Sequence, residues 1–237
     1  MPLAADDVGP PVAAVHAPAP VAMDAYAAIA SQYVYRGVAR RDSPSPTFAL
    51  TTGTSSGVFA DLWGGLVDGE PQHDYGSPNR SEWNIDLSVG YGAAIANDWQ
   101  ASLAFARVVD AGNGDSAARD YEEWRGNVFF RDVAKFQIAY SPDYEQRGWS
   151  SWNAELGGTY PLTESLSGEW ALGRSHGAGR EGNDYGYGSL GLSGSWLHTQ
   201  WDARWTDSGH GARYVQDSDR AGSRVVVSLS WGFRLLP

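Results

Sequence analysis

There is no cysteine among the 237 residues, which excludes a disulfide framework, a zinc–thiolate site, a thiol nucleophile and a lipidated N-terminal cysteine. No stretch of about 18 consecutive apolar residues occurs, so the sequence holds no membrane-spanning helix. Basic residues are scarce: 17 Lys and Arg stand against 28 Asp and Glu. The basic face that nucleic acid requires is therefore missing, and no nucleic-acid partner is expected. Charged residues make up 19 % of the chain, below the ~25 % usual in soluble domains. In excess are glycine (29), tryptophan (11) and tyrosine (12), too aromatic a mixture for a disordered chain. A negative mean hydropathy ordinarily points to solubility. One class of membrane protein escapes that test, because it hides its apolar residues at every second position.

Residues 1–22 are rich in Ala, Pro and Val, with Asp6 and Asp7 as their only charges. A signal peptide needs a basic start and an unbroken apolar core, and this segment has neither. It reads as a flexible tail, either periplasmic in a chain whose export signal has been removed or the unremarkable start of a cytosolic protein. Residues 23–237 then form the folded unit.

Glu82 to Gly92 is the most informative stretch. Odd positions read Trp83, Ile85, Leu87, Val89 and Tyr91; even positions read Glu82, Asn84, Asp86, Ser88, Gly90 and Gly92. Strict period-two alternation sets one group on each face of a strand, whereas on a helix the same residues would wrap the whole cylinder. The pattern returns around Trp99–Phe105, Trp124–Phe130, Phe136–Tyr140, Trp152–Tyr160, Leu166–Leu172, Leu190–Trp196, Trp201–Trp205 and Val225–Phe233. Weaker alternation predicts earlier strands near 24–37, 46–54 and 57–67. Short turns, such as Ala96-Asn97-Asp98 and Leu197-His198-Thr199, alternate with longer Gly/Asp-rich links along the whole chain. That layout belongs to an all-β, up-and-down antiparallel transmembrane barrel of about twelve strands, with short periplasmic turns and long external loops.

A soluble β-sandwich also alternates. Against it stands the composition of the polar face, where Glu82, Asp86, Glu123, Arg125, Lys135, Glu155, Glu169, Asp202, Arg204 and Arg224 mix with many Gly and Ser. Small residues suit a crowded barrel interior, and these ten charges are expected to line a pore. On the apolar face, aromatic residues gather near strand ends in two bands. Trp83, Trp124 and Trp152 lie toward the long loops; Tyr91, Trp99, Tyr160, Trp196 and Trp231 lie toward the short turns. They read as lipid-facing girdles in an outer membrane, with its lipid and lipopolysaccharide as partners.

Several segments add a family likeness. Ser31-Gln-Tyr-Val-Tyr-Arg-Gly-Val38, Phe59-Ala-Asp-Leu-Trp63, Ala139-Tyr-Ser-Pro-Asp-Tyr144 and Arg224–Phe233 resemble the proteobacterial TorF family of porin-like outer-membrane proteins, over residues 24 to 233. The resemblance implies an outer-membrane barrel and a pore. One departure is the Arg234-Leu-Leu-Pro237 ending, placed after the aromatic residue where such chains usually stop.

Catalytic chemistry finds little support. Ser175 and His176 are sequence neighbours, so on a strand they point to opposite faces and cannot work as nucleophile and base; Ser208-Gly-His210 is the other pair weighed for a lipid hydrolase. His16, His73 and His198 read as solvated. Asp110-Ala-Gly-Asn-Gly-Asp115 lacks the downstream glutamate of a calcium loop, and the Gly run 185–194 lacks the strand–turn–helix setting of a phosphate loop. No metal or cofactor is expected, and no enzymatic activity. The long links carry Asp68, Glu70, Asp74, Asp110, Asp115, Asp120, Asp143, Glu145, Glu181, Asp184, Asp207, Asp217 and Asp219 against Arg80, Arg119, Arg147, Arg180, Arg213 and Arg220. An anionic mouth of this kind favours cations. Two readings follow: a passive, mildly cation-selective channel for ions or small solutes, or a barrel plugged by its own side chains with a structural or partner-binding role.

Overall fold

The computed structural model describes residues 21–68, 81–111, 120–131, 133–177, 184–209, 212 and 220–236. Fourteen strands appear among them. In chain order they are β1 (Val21–Ala30), β2 (Tyr33–Tyr35), β3 (Val38–Arg41), β4 (Ser45–Thr54), β5 (Val58–Asp68), β6 (Ser81–Ala96) and β7 (Trp99–Ala111). The second half holds β8 (Tyr121–Phe130), β9 (Ala134–Ser141), β10 (Ser151–Pro161), β11 (Leu166–His176), β12 (Tyr185–Trp196), β13 (Thr199–Ser208) and β14 (Arg224–Leu236). β1 and β4–β14 form a closed antiparallel barrel of twelve strands, each pairing with its sequence neighbour and β14 returning to β1. For twelve strands ~4.8 Å apart and tilted ~40°, the backbone diameter is roughly 24 Å. Short turns close one end, where both β1 begins and β14 finishes; the longer links lie at the other.

Alternation decides which way the barrel faces. On β6, Leu87, Val89 and Tyr91 are 50 %, 54 % and 55 % exposed, while Glu82, Asp86 and Ser88 are buried. A soluble sandwich would bury the first set and wet the second. Here the charged face is enclosed and the apolar face is bare, the distribution of a barrel whose solvent is hydrocarbon.

Two expectations require correction. The strand expected near 24–37 ends at Ala30. There the Ser31 amide donates to the Val227 carbonyl at 2.8 Å, and the Gln32 side chain donates to the Val225 carbonyl at 2.8 Å. The chain then turns into the barrel as the β2–β3 hairpin. Its two-residue turn, Arg36-Gly37, has φ of 52° and 76°, the left-handed pair that a type I′ hairpin needs. Secondly, β1 starts at Val21, so Val21 and Ala22 belong to the barrel and not to the tail; the rest of that segment lies outside the described residues.

The hairpin also accounts for the weak alternation of β5. Its inward residues Trp63 and Val67 are themselves apolar, because they pack with Tyr33 of the hairpin and Ala49 of β4. Val34 and Ala39 pack on Ala30 and Val226, and Val38 joins Val108, Tyr121, Tyr144, Tyr185 and Tyr187. This barrel therefore has a small apolar core inside as well as an apolar coat outside.

Candidate functional site

The inner space is organised around the hairpin. At its tip the backbone of Gly37 lies so close to the far wall that a Cβ there would stand 2.4 Å from Cβ of Tyr187 and 3.2 Å from that of Ser208. Arg36 Nη2 donates to Glu123 Oε1 at 2.8 Å, and the other carboxylate oxygen accepts from Arg125 Nε at 2.7 Å. Arg125 Nη2 continues to Asp86 Oδ2 at 2.5 Å. The chain Arg36–Glu123–Arg125–Asp86 thus ties hairpin to wall through buried, charge-assisted bonds. Burial by itself would lower the Arg36 pKa; the facing Glu123 carboxylate outweighs it and holds the guanidinium well above its ordinary value. Burial pushes the Tyr35 phenol up to about 12.

A second link enters from the β9–β10 connection, where a 3-10 turn at Tyr144–Gln146 buries Tyr144 and Glu145. Glu145 accepts from Arg40 at 3.2 Å and from Arg147 at 2.6 Å, and the Tyr144 ring lies 4.7 Å from that of Tyr121. Arg41 pairs with Asp68 at 2.8 Å, and Arg224 with Asp42 at 2.7 Å.

Two further polar groups belong to the wall. Arg204 Nε reaches Asp202 at 3.0 Å and its Nη2 reaches Glu169 at 3.0 Å. Tyr187 donates to Glu155 at 2.8 Å and meets Asn153, which donates to Ser175 at 2.8 Å. The Tyr187 ring is laid over its cross-strand partner Gly173, where a Cβ would come within 2.1 Å of the ring. Glycine at 173 makes that aromatic position inside the barrel sterically open.

Between hairpin and wall remains a cavity of about 40 Å³, lined by Tyr33, Tyr35, Arg36 and Trp63 on one side and by Asp86, Arg125 and Glu155 among others opposite. Among the described residues, Asp86 Oδ1, Arg125 Nη1 and Trp63 Nε1 are buried without a hydrogen-bond partner.

The ten charges expected inside are distributed as follows. Glu82, Asp86, Glu123, Arg125, Glu155, Asp202 and Arg204 are buried on the inner face; Lys135, Glu169 and Arg224 are half-buried on it. They do not form one ring. Glu123, Arg125 and Asp86 meet; Glu169, Asp202 and Arg204 meet; Lys135 stands near the short turns and Arg224 at the loop end of β14. The ion pairs among them are local, between neighbours on one wall or between wall and hairpin. Outside, Trp83, Tyr91, Trp99, Trp124, Trp152, Tyr160 and Trp196 are exposed. Trp231 is half-buried, and its indole donates to Thr199 at 3.1 Å.

Of the acids assigned to the mouth, Asp68, Asp110 and Asp207 are strand residues and Glu145 is folded inward. Glu70, Asp74, Asp115, Glu181, Asp217, Asp219, Arg80, Arg119, Arg180 and Arg213 lie outside the described residues, as do His16, His73 and His210. Ser175 is buried inside, whereas His176 faces out, its ring tilted 32° to that of Trp152 at 5.5 Å and its Nδ1 2.5 Å from Asp184. Asp110 accepts from Asn84, and no cluster of three metal-ligating side chains occurs among the described residues.

Arg36, Arg40, Tyr33 and Trp63 are absent from the residues expected to line the pore, and Glu145 is among the acids expected at the mouth rather than inside. A signal for the first three was present: Arg-Gly between Tyr-Val-Tyr and Val-Ala-Arg-Arg has the length and symmetry of a two-residue hairpin, though not its usual Asn-Gly.

No family model matches the chain, and no curated relative does; the TorF resemblance thus stands on its motifs alone. Among solved structures, the chain is similar to the COG4313 outer membrane channel from Pseudomonas putida F1, with a TM-score of 0.56 and 9 % identity over 90 % of this chain and 95 % of that one. It is similar to the KdgM porin at 0.55 and 9 %, over 90 % and 99 %. The NanC porin follows at 0.53 and 10 %, over 90 % and 100 %. At such identities the likeness shows the fold, and the fold is that of a bacterial outer-membrane β-barrel.

Proposed function

We propose that this protein is a porin-like outer-membrane channel for small polar solutes and ions, with the β2–β3 hairpin as its constriction. The observation that carries this reading is the polar seam between hairpin and wall, Arg36–Glu123–Arg125–Asp86, running beside a cavity inside a closed barrel. A barrel that served only as a scaffold could fill its interior with apolar side chains. Burying charges is costly unless they are paired, and water-lined paths are where such networks are of use. That the barrels it resembles are named as channels and porins supports the same reading.

In this reading the ten inner charges line the path, and the eight outer aromatic residues sit at the two membrane interfaces, against lipid and lipopolysaccharide. A mild preference for cations comes from the excess of acids over bases in the sequence of the long links. A second reading, a plugged barrel with a structural or partner-binding role, is favoured by the small size of the cavity.

Planar-bilayer conductance separates the two. The comparison is between the wild type and a variant in which residues 32–43 are replaced by a short Gly/Ser link; the pairing of Ala30 with Ser45 keeps the barrel closed. The channel reading expects small, resolvable wild-type steps and steps several-fold larger in the variant. A silent wild type with a conducting variant would establish the plug, and silence from both would end the channel reading.

A further inference from the structure

We infer that the cavity beneath the hairpin is a recognition site for uncharged, hydroxyl-bearing solutes, taking the hydroxylated end of a sugar or polyol in preference to an organic ion. The inference rests on the channel reading for its physiological meaning, but its test does not.

Charge on the lining is already spent internally. Arg36 is paired with Glu123, Arg40 with Glu145, and Arg125 with both Glu123 and Asp86. Glu155 accepts from the Tyr187 hydroxyl. An incoming carboxylate would have to take an arginine from a buried partner, and an incoming ammonium would have to take an acid. Either exchange strands a buried charge, which is strongly unfavourable.

What the lining leaves over is of a different kind. Arg125 Nη1 and Trp63 Nε1 are donors without acceptors, and Asp86 Oδ1 is an acceptor without a donor. All three residues line the one cavity, and they are 6 %, 1 % and 5 % exposed. An anion offers only acceptors and an ammonium only donors. A hydroxyl group offers both within one small uncharged group, so it satisfies leftovers of both senses without disturbing the ion pairs. A ligand group that supplies the missing partner of a buried polar atom gains affinity by doing so.

Shape agrees with chemistry. The Tyr33 and Trp63 rings stack at 5.4 Å and 30°, with Tyr35 and Tyr121 also on the lining, so flat apolar faces border the polar atoms. Small-molecule sites commonly combine such surfaces with a few convergent polar groups. A volume of about 40 Å³ holds roughly three water-sized groups. That is room for a hydroxymethyl or vicinal-diol end, with the remainder of the solute outside the cavity.

The test is equilibrium binding to the full, detergent-folded chain, by calorimetry or saturation-transfer NMR, with D-glucose, D-glucuronate and D-glucosamine as probes. We expect saturable, millimolar binding of glucose and at least fivefold weaker binding of the two charged analogues. Trp63→Phe keeps an aromatic ring at the position but removes the indole N–H, and should weaken glucose binding at least threefold. Gln137→Leu, on the wall side of the same cavity, gives an independent loss should the first variant fold poorly. No saturable glucose binding, tighter binding of either charged sugar, or wild-type affinity in both variants would overturn the inference. Binding that meets these expectations in a chain silent in bilayers would uphold it and refute the channel reading alone.

Discussion

Glu123 holds the hairpin in place, and replacing it with glutamine tests that statement quantitatively. The carboxylate is 1 % exposed and accepts one charge-assisted bond from the hairpin, at 2.8 Å from Arg36, and one from its own strand, at 2.7 Å from Arg125. Removing one member of a buried ion pair costs about 3–5 kcal/mol. Glutamine keeps the shape and one neutral acceptor, worth about 1 kcal/mol, so the net loss is about 2–4 kcal/mol. At 1.4 kcal/mol per tenfold this loosens docking by roughly 30- to 700-fold. Burial of both partners means that salt screens little of it. Arg125 retains Asp86, so the barrel wall should stand. Hydrogen exchange of the segment 31–44, followed by mass spectrometry in detergent, reads the effect directly, because the Ala39 amide is bonded to the Arg220 carbonyl only while the hairpin is docked. Exchange there should quicken by that factor in Glu123→Gln, and not in Asp202→Asn, whose partner Arg204 lies away from the hairpin. Exchange within threefold of wild type in Glu123→Gln would refute the view that this carboxylate latches the hairpin.

Four other outcomes are expected. Gly37→Ala places a Cβ against Tyr187 at φ +76°, a left-handed strain of about 1–2 kcal/mol before any clash, and should speed the same exchange at least fivefold. Since the chain has no cysteine, Leu87→Cys should resist a water-soluble thiol reagent in liposomes while Lys135→Cys reacts; the reverse would invert the inside–outside assignment. Reversal potentials in a KCl gradient should show cation preference at 0.1 M salt that fades near 1 M, where the Debye length is about 3 Å; anion preference at low salt would remove the acidic mouth as the selective element. Finally, the Tyr35 phenol, raised to about 12 by burial, favours the docked hairpin fully below pH 10, and that contribution is lost as pH climbs through 12. Absorbance at 295 nm, wild type minus Tyr35→Phe, should show one tyrosine ionising near 12, and a difference titrating near 10 would contradict its burial.

The barrel was legible in the sequence wherever each strand met one environment per face. Along Trp83–Tyr91 lipid lies on one side and a polar interior on the other, and the two-residue period carries both facts. Legibility failed where a strand met protein on its inner face. Trp63 and Val67 are apolar and turned inward because Tyr33 packs on them, so β5 shows apolar residues on both faces and its alternation blurs. The hairpin was lost for a related reason. Tyr33–Tyr35 continues the β propensity of β1, and nothing local marks Ser31 as the corner, because the bonds that turn the chain come from Val225 and Val227, almost two hundred residues away. Site residues followed the same rule. Arg125 and Glu123 could be placed by parity on one strand, but their partner Arg36 could not, since pairing between a wall and an inward hairpin leaves no period to read.

The seam between β1 and β14 has a consequence for how the molecule comes to exist. It joins Met23 to Leu236 and Ala30 to Ser228, and the Arg234-Leu235-Leu236 extension carries the pairing past Ala25 to Asp24 and Met23. Contacts between the first and last strands have the greatest sequence separation available, so the loop that closes them has the greatest closure entropy, and topologies of this type assemble slowly. Until β14 arrives, β1 and the growing sheet each offer an unpaired edge, the feature that templates pairing with foreign strands. Removing Arg234–Leu236 would shorten the seam by its last pairs while leaving every other strand pair intact. Such a chain would lose little equilibrium stability yet spend longer as an open sheet, and its defect should therefore be sought in the yield of assembly.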